Sequence, residues 1–246
     1  MTLALEVRGV FAGYGDICAL WDFSLSVQPG EISVLLGRNG SGKTTALSAI
    51  AGIVKMSAGS IRLNGQELVR LPAYRRTRLG LALVQENKRI FRHRTVEENL
   101  RLGGFWRYGN GKELKAAMDR ECERFPVLRE KWKRPASTLS GGEQQMLGIA
   151  QALVSRPTVL MLDEPSAGLA PDIVNRVFSC IAQLKTEGIA VLLVEQLVHQ
   201  PLQLADHIAV LDLGRLALHK PAAEITDVSE IEDVYLGKRE KDPEFR

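Results

Sequence analysis

The sequence predicts an α/β fold: a mainly parallel core sheet flanked by helices, a small antiparallel β subdomain, and an inserted helical subdomain. Three stretches carry that expectation. Ile32-Ser33-Val34-Leu35-Leu36 is a buried-strand pattern that runs through a glycine loop into the helical Ala46–Ala51. Val159-Leu160-Met161-Leu162 is a second unbroken apolar run, as expected of a central parallel strand covered on both faces. Between them, from about Thr95 to Ser137, the chain is charged and helical without long strand patterns. The expected organisation is one domain over 1–246, with its core at about 1–87 and 138–246 and the helical insertion at about 88–137.

Leu3–Val10 alternates apolar and polar residues and reads as a strand, not as a signal peptide. Ala19-Leu20 and Phe23–Val27 complete the small antiparallel sheet, and Gln28-Pro29-Gly30-Glu31 turns the chain into the strand at 32–36. Ser60–Gly65 reads as a strand with a tight turn, Arg75–Leu79 as helical, and Leu81–Val84 as a short strand. Thr95-Val96-Glu97-Glu98 has the spacing of a capping box, in which threonine and glutamate satisfy each other's backbone amides at a helix start. Ser140 with Gly141 and Gly142 opens a further helix that turns apolar over Met146–Val154. Ile189–Val194 is another buried strand, and His207–Asp212 with Arg215–Leu218 forms a hairpin about Leu213-Gly214. The last helix covers Ile231–Leu236, and only Lys238–Arg246 looks frayed, with mixed charge.

With 246 residues, 45% hydrophobic and 25% charged, the chain has ample apolar material for one large core. A net charge of +3 is too small to argue for a nucleic-acid partner. Cys18, Cys122 and Cys180 are odd in number and form no C-x-x-C pair, which reads as reduced, buried thiols in a cytoplasmic protein. No apolar run approaches the ~20 residues needed to span a bilayer. Any membrane role must pass through a partner.

The chemistry concentrates in Gly37-Arg38-Asn39-Gly40-Ser41-Gly42-Lys43-Thr44-Thr45, a G-x-x-x-x-G-K-[ST] loop set between strand and helix. Gly37, Gly40 and Gly42 open backbone conformations closed to residues with a Cβ, so successive N–H groups can face an anion. The helix beginning near Lys43 adds its positive dipole end. Lys43 supplies a mobile cation for β- and γ-phosphates, and the Thr44 hydroxyl is placed to ligate Mg²⁺. The pattern predicts a nucleoside triphosphate site. Ligands of open α/β sheets lie at the carboxyl ends of strands, so Asp163 and Glu164 reach the same rim. Asp163 would hold Mg²⁺, directly or through water, and Glu164 would polarise the attacking water. The alternative for such a pair is a helix N-cap. Ser140, Gly141, Gly142 and Glu143 form a second cluster of anion-binding amides at a helix start. Tyr14, between Gly13 and Gly15, either stacks on a planar ring or anchors its own loop; spacing alone leans to the anchor.

In this order, Gly37–Thr45, Leu139–Gln144 and Leu160–Glu164 resemble the ATP-binding subunits of ABC transporters, over essentially the whole chain. Leu139-Ser140-Gly141-Gly142 is the specific part, since kinases and GTPases with a phosphate loop lack it. Glu143 stands where the family's Leu-Ser-Gly-Gly-Gln has glutamine, a variant many members carry. The resemblance implies the P-loop NTPase ABC-ATPase fold, ATP and Mg²⁺ as ligands, and Tyr14 as the adenine-stacking aromatic. Asn87–Phe91, Thr95–Leu100, Glu143–Leu147, Gly168–Pro171 and Leu193–Gln196 look like the ATPase subunits of branched-chain amino acid importers, of the LivF type. Urea and short-chain amide importers use closely similar subunits.

Three features depart from the general family pattern. Glu86 takes the place of the glutamine that senses the γ-phosphate and permease, with Gln85 one residue early, so the resemblance gives Glu86 a catalytic and Mg²⁺-contacting role. Gln196 replaces the switch histidine, and His199 lies three residues too late to substitute. Ala170 stands where many relatives have aspartate. Gln196 can hydrogen-bond a γ-phosphate but cannot take up a proton near pH 7.

The resemblance further implies a head-to-tail dimer, with itself or a paralogue, holding ATP between one phosphate loop and the other subunit's Ser140 cluster. Membrane permease subunits would meet the helical insertion and the Glu86 loop, and a periplasmic or extracellular solute-binding protein would act through them. The implied place is peripheral, on the cytoplasmic face of the membrane, with no nucleic acid. The expected activity is ATP hydrolysis coupled to uptake of branched-chain or related small amino acids or amides. A cytosolic ABC ATPase acting on nucleic acid or ribosomes is the alternative, but such proteins usually carry two cassettes or long coiled-coil insertions. A small-molecule phosphotransferase leaves Leu139–Gln144 unexplained.

Overall fold

The structure, a computed structural model, describes residues 2–86, 90–225 and 227–236. Asn87, Lys88 and Arg89, the expected domain boundary between 87 and 88, and the segment 238–246 lie outside them. Strands β1 (Leu5–Tyr14) and β2 (Ile17–Val27) form a hairpin. On its other edge β1 pairs with β4 (Met56–Leu63), which continues into the two-residue β5 (Gln66–Glu67). β1 and β2 are both longer than the alternation in the sequence suggests. Register shifts between Val7 and Val10, and again near Ala12, break the period of two. Tyr14 therefore pairs with Ile17 across a two-residue turn, and Gly15 takes φ +57° there.

The second sheet has the order β10-β9-β3-β8-β7-β6. In it β3 (Ile32–Leu36), β6 (Leu81–Val84), β7 (Val159–Asp163), β8 (Ala190–Glu195) and β9 (His207–Asp212) run parallel. β10 (Arg215–Pro221) closes the edge antiparallel to β9. Every residue of β3, β7 and β8 is buried. Successive side chains alternate between faces. Leu160, Leu162, Val191 and Leu193 join the core beneath α6 (Gly141–Val154) and α7 (Pro171–Thr186). Val159, Met161, Leu192 and Val194 join the core with α1 (Lys43–Ala51) and the antiparallel sheet. The same alternation sends Asp163 toward α1 and Glu195 toward α7. At roughly 1.5–3 kcal/mol per buried aliphatic side chain, the apolar residues before Asp163 offset the burial of its carboxylate.

The helices follow their caps. In α3 (Val96–Gly104) the capping box closes: Glu98 N–H donates to Thr95 Oγ1 at 3.2 Å, and Thr95 N–H to Glu98 Oε2 at 2.8 Å. Asn110 caps α4 (Gly111–Arg124), and Pro126 starts the short α5 (Pro126–Glu130). Arg124 ties α4 to the end of α7, donating to Glu121 at 3.0 Å and to Glu187 at 2.7 Å. The remaining helices are α2 (Ala73–Arg78), α8 (His199–Leu204) and α9 (Ser229–Leu236). No expectation above covered α7, although Pro171 in its first turn and Val174, Val177, Phe178, Ile181 and Leu184 mark a helix with one buried face. Cys122 and Cys180 are buried as expected; Cys18 is only half-buried, because its strand lies toward the hairpin end. No helix among the described residues is long and apolar enough to cross a membrane.

Candidate nucleotide site

Three strand ends build the site. Leu36 pairs with Glu195 and Val194 with Asp163, so Gly37, Gln196 and Glu164 leave the sheet at one rim. The loop after β3 ends at Gly42, which caps α1 at φ +105° with no side-chain cap. A residue with a Cβ would be strained there, and the first amides of α1 stay free to face an anion. Gly37 differs from the expectation, because its φ is not positive. Its requirement is space: a Cβ there would lie 2.4 Å from Ser41 Oγ and 2.6 Å from the Leu211 carbonyl oxygen.

Lys43 lies across the loop. Its Nζ donates to the carbonyls of Gly37 at 2.7 Å and Arg38 at 3.1 Å, and stands 3.3 Å from Glu164 Oε1. The Thr44 hydroxyl donates to Asp163 Oδ2 at 3.0 Å, while Asp163 Oδ1 is buried with no hydrogen-bond partner. Burial pushes the Asp163 carboxyl above its usual range; the Thr44 hydrogen bond opposes this, and nearby Glu164 and Glu86 add to it. An orphaned carboxylate oxygen beside a hydroxyl, with further carboxylates near, is a hard-oxygen donor set suited to a small divalent cation.

A cleft of about 600 Å³ brings Asn39, Gly40, Gly42, Lys43, Thr44 and Thr45 together with Glu86, Glu164 and Gln196. Arg38 is exposed beside it, and Ser41 is buried under the loop. Gln85 lines a different groove, with Ile53, Leu102 and Trp106, so the two neighbours Gln85 and Glu86 face different spaces. The N-cap alternative for Asp163-Glu164 fails, since the next helix begins only at Pro171. Ala170 occupies that helix's N-cap position and supplies no side-chain cap.

Two groups of predicted site residues lie apart from this cleft. Tyr14 is 55% exposed at the hairpin end and forms none of its walls. Ser140, Gly141, Gly142 and Glu143 open α6 elsewhere on the chain. Glu143 N–H donates to Ser140 Oγ at 3.3 Å, and Ser140 N–H to Glu143 Oε2 at 2.9 Å. Lys131 Nζ donates to the other Glu143 oxygen at 2.6 Å, so this carboxylate is engaged in capping. A Cβ on Gly142 would meet Ile173 Cγ2 at 2.7 Å, which gives this glycine a packing reason. The Ser140 hydroxyl accepts from Glu143 N–H and also hydrogen-bonds the Glu143 carboxyl; against burial, which would raise it, Lys131 and Ser140 hold that carboxyl below its usual range.

Glu195 lies outside the lining of this cleft, and the motif spacing passes over it. It is 2% exposed, and its Oε1 accepts from Ser166 N–H at 3.1 Å. Its partner lies 29 residues away in sequence, so no local pattern signals the pair.

Strand, glycine loop, helix and an acidic strand end beside the Thr44 hydroxyl define a phosphate-loop nucleotide site. The chain belongs to the ABC transporter family of ATP-binding proteins, whose family model matches residues 20–167. It is 46% identical over 224 residues to the high-affinity branched-chain amino acid transport ATP-binding protein BraG of Pseudomonas aeruginosa, covering 91% of this chain and 95% of that one. It is 38% identical over 227 residues to a probable branched-chain amino acid transport ATP-binding protein, LivF, of Archaeoglobus fulgidus, covering 92% and 95%. A crystal structure of an ABC-transporter ATP-binding cassette in its ADP conformation superposes with a TM-score of 0.85 at 26% identity, covering 98% of this chain and all of that one.

Proposed function

We propose that this chain is the ATP-hydrolysing subunit of a membrane importer for branched-chain amino acids or related small amino acids and amides. The observation that carries the reading is the meeting, in one cleft, of a phosphate loop with Lys43, the Thr44–Asp163 pair, and Glu164 within 3.3 Å of Lys43. The loop amides from Gly37 to Thr45 and the α1 N-terminus bind the phosphates, and Lys43 exchanges its carbonyl partners for β- and γ-phosphate oxygens. Tyr14 stacks on the adenine. Thr44 and Asp163, with Glu86 nearby, would hold Mg²⁺, which would supply charge neutralisation to the phosphate oxygens. Glu164 accepts the proton of the attacking water. Gln196 orients the γ-phosphate through its amide and takes no proton.

The second anion-binding helix start, at Ser140, forms no wall of this cleft. We therefore read the working unit as a head-to-tail dimer, in which Ser140, Gly141 and Gly142 of one subunit complete the site of the other, with Glu143 holding that helix start. ATP binding then favours the closed dimer and hydrolysis releases it. The helical segment, taken as about 88–137, and the groove of about 360 Å³ lined by Ile53, Gln85, Leu102 and Trp106 are the surface we assign to the permease's cytoplasmic helices. Ile53 is 56% exposed and Leu102 41% exposed, which suits an apolar docking face. On this reading the subunit sits peripherally on the cytoplasmic side, with a solute-binding protein acting through the permease.

Membranes containing the complex should yield permease subunits on purification in mild detergent, and vesicles made from them should take up labelled leucine when supplied with ATP. Glu164→Gln should keep Mg·ATP binding yet slow turnover ~10²–10⁴-fold, and uptake with it. Undiminished turnover in that variant would remove Glu164 from the mechanism. Ribosomal particles or nucleic acid co-purifying in place of permease would favour the cytosolic alternative.

A further inference from the structure

We propose that Glu195 is a positioning residue for ATP hydrolysis, fastening the loop after Glu164 to the strand end that carries Gln196. The proposal rests on the reading of Glu164 as the base. Glu164 sits in a conformation that a residue with a side chain rarely adopts, at φ +46°. Such a conformation persists only where its surroundings impose it. Its own N–H donates to Val194 O at 2.9 Å, which fixes the loop at its first residue. Two residues on, Ser166 N–H donates to Glu195 Oε1 at 3.1 Å. The Ser166 hydroxyl and the Gln196 backbone N–H also hydrogen-bond the Glu195 carboxyl, so one buried group joins both loops.

Packing holds this loop only in part: Pro165 and Ser166 are buried and Leu169 leans on the core, while Ala167, Gly168 and Ala170 are exposed. On one side lies the nucleotide cleft, walled in part by Glu164 and Ala167. On the other lies a second cleft of about 550 Å³, lined by Ser166, Gly168, Leu169, Val174 and Leu197. With clefts on both sides and no side-chain cap at Ala170, hydrogen bonds add to that packing in defining the backbone. Alternation along β8 points Glu195 toward α7, the direction in which the loop runs. The tether is therefore a matter of reach. A side chain of glutamate length with an acceptor oxygen should serve, and a shorter one should not. A misplacement of about 1 Å in a catalytic group can cost ~10²-fold in rate.

The test compares Glu195→Gln, which is neutral and of full length, with Glu195→Asp, which is charged but one methylene shorter. Turnover of the full-length chain at saturating Mg·ATP and its affinity for ATP are measured for each. Glu195→Gln should stay within about 3-fold of the parent in turnover, and Glu195→Asp should fall about 10–100-fold, both with unchanged ATP affinity. Because the effect passes through Glu164, Glu195→Asp should add no further loss in a Glu164→Gln background. The proposal is overturned if Glu195→Asp keeps parental turnover, if Glu195→Gln falls as far as Glu195→Asp, if ATP affinity is what changes, or if the double variant loses additively. Full turnover in Glu164→Gln alone would instead defeat the assignment of the base. An active Glu195→Asp beside an inactive Glu164→Gln would defeat the tether only.

Discussion

Burial raises the Asp163 carboxyl above its usual range while the Thr44 hydrogen bond partly opposes it. A carboxyl whose pKa is higher folded than unfolded contributes stability that is fully present below its unfolded pKa and is lost as pH rises through the folded value. Above that folded value, without a cation, the ionised Asp163 carboxylate works against the fold. Asp163→Asn should melt no lower than the parent in chelator, yet lose the extra stabilisation that Mg²⁺ confers in the presence of ATP. Calorimetry with and without Mg²⁺ checks both halves; a lower melting point in chelator, or an intact Mg²⁺ increment, contradicts the reading. Tyr14 poses a separate question at the same scale, being 55% exposed and outside the cleft. If it stacks on adenine, Tyr14→Ala should weaken ATP binding by about 1–3 kcal/mol and leave saturated turnover alone. Unchanged affinity on titration returns it to an anchor of its own hairpin.

Among the elements, α1 is finished at its far end by a residue from α2. Arg76 Nη1 donates to Ala49 O at 2.9 Å and Ile50 O at 2.7 Å, and its Nε to Leu71 O at 2.9 Å. The guanidinium is buried, and burial lowers its pKa, with Glu67 opposing. Arg76→Met would strand several buried carbonyls at the negative end of α1, so it should cost about 2–4 kcal/mol. A urea titration should show an earlier midpoint with unchanged slope; an unmoved midpoint means water replaces the arginine. Nothing near Arg76 in the sequence announces this role, because its partners come from two other segments. The contrast with the legible elements is physical. The stretch 32–51, the capping box at Thr95 and the strand ending in Asp163-Glu164 are each defined by interactions within a few residues, and each was readable. β1 and β2 outrun their alternation because bulges interrupt it, whereas the apolar spacing of α7 lies in plain view from Val174 to Leu184. Gly37 was readable as essential but not for its reason, since the crowding comes from Ser41 and from Leu211, far along the chain. The insertion of β8 between β3 and β7, which sets Gln196 beside Glu164, has no signature in any one segment.

For the whole molecule, the decisive feature is that one chain carries one phosphate loop and a second helix start, at Ser140, that we propose as an anion site and that forms no wall of its cleft. Ser140 and Glu143 cap that helix within the chain, with the Ser140 hydroxyl also hydrogen-bonded to the Glu143 carboxyl. A site completed across a dimer explains why both are present. Lys43→Ala and Ser140→Arg subunits, each inactive alone, allow the direct measurement: ATPase activity after mixing. In a mixed dimer with shared sites, both lesions fall on one site. The other site joins the intact phosphate loop of the Ser140→Arg subunit to the intact Ser140 of the Lys43→Ala subunit. Activity should therefore return on mixing, toward the level of one working site per dimer. If each chain builds its own site, every site in the mixture carries a lesion, and demonstrated mixed dimers that remain inactive would contradict the shared site.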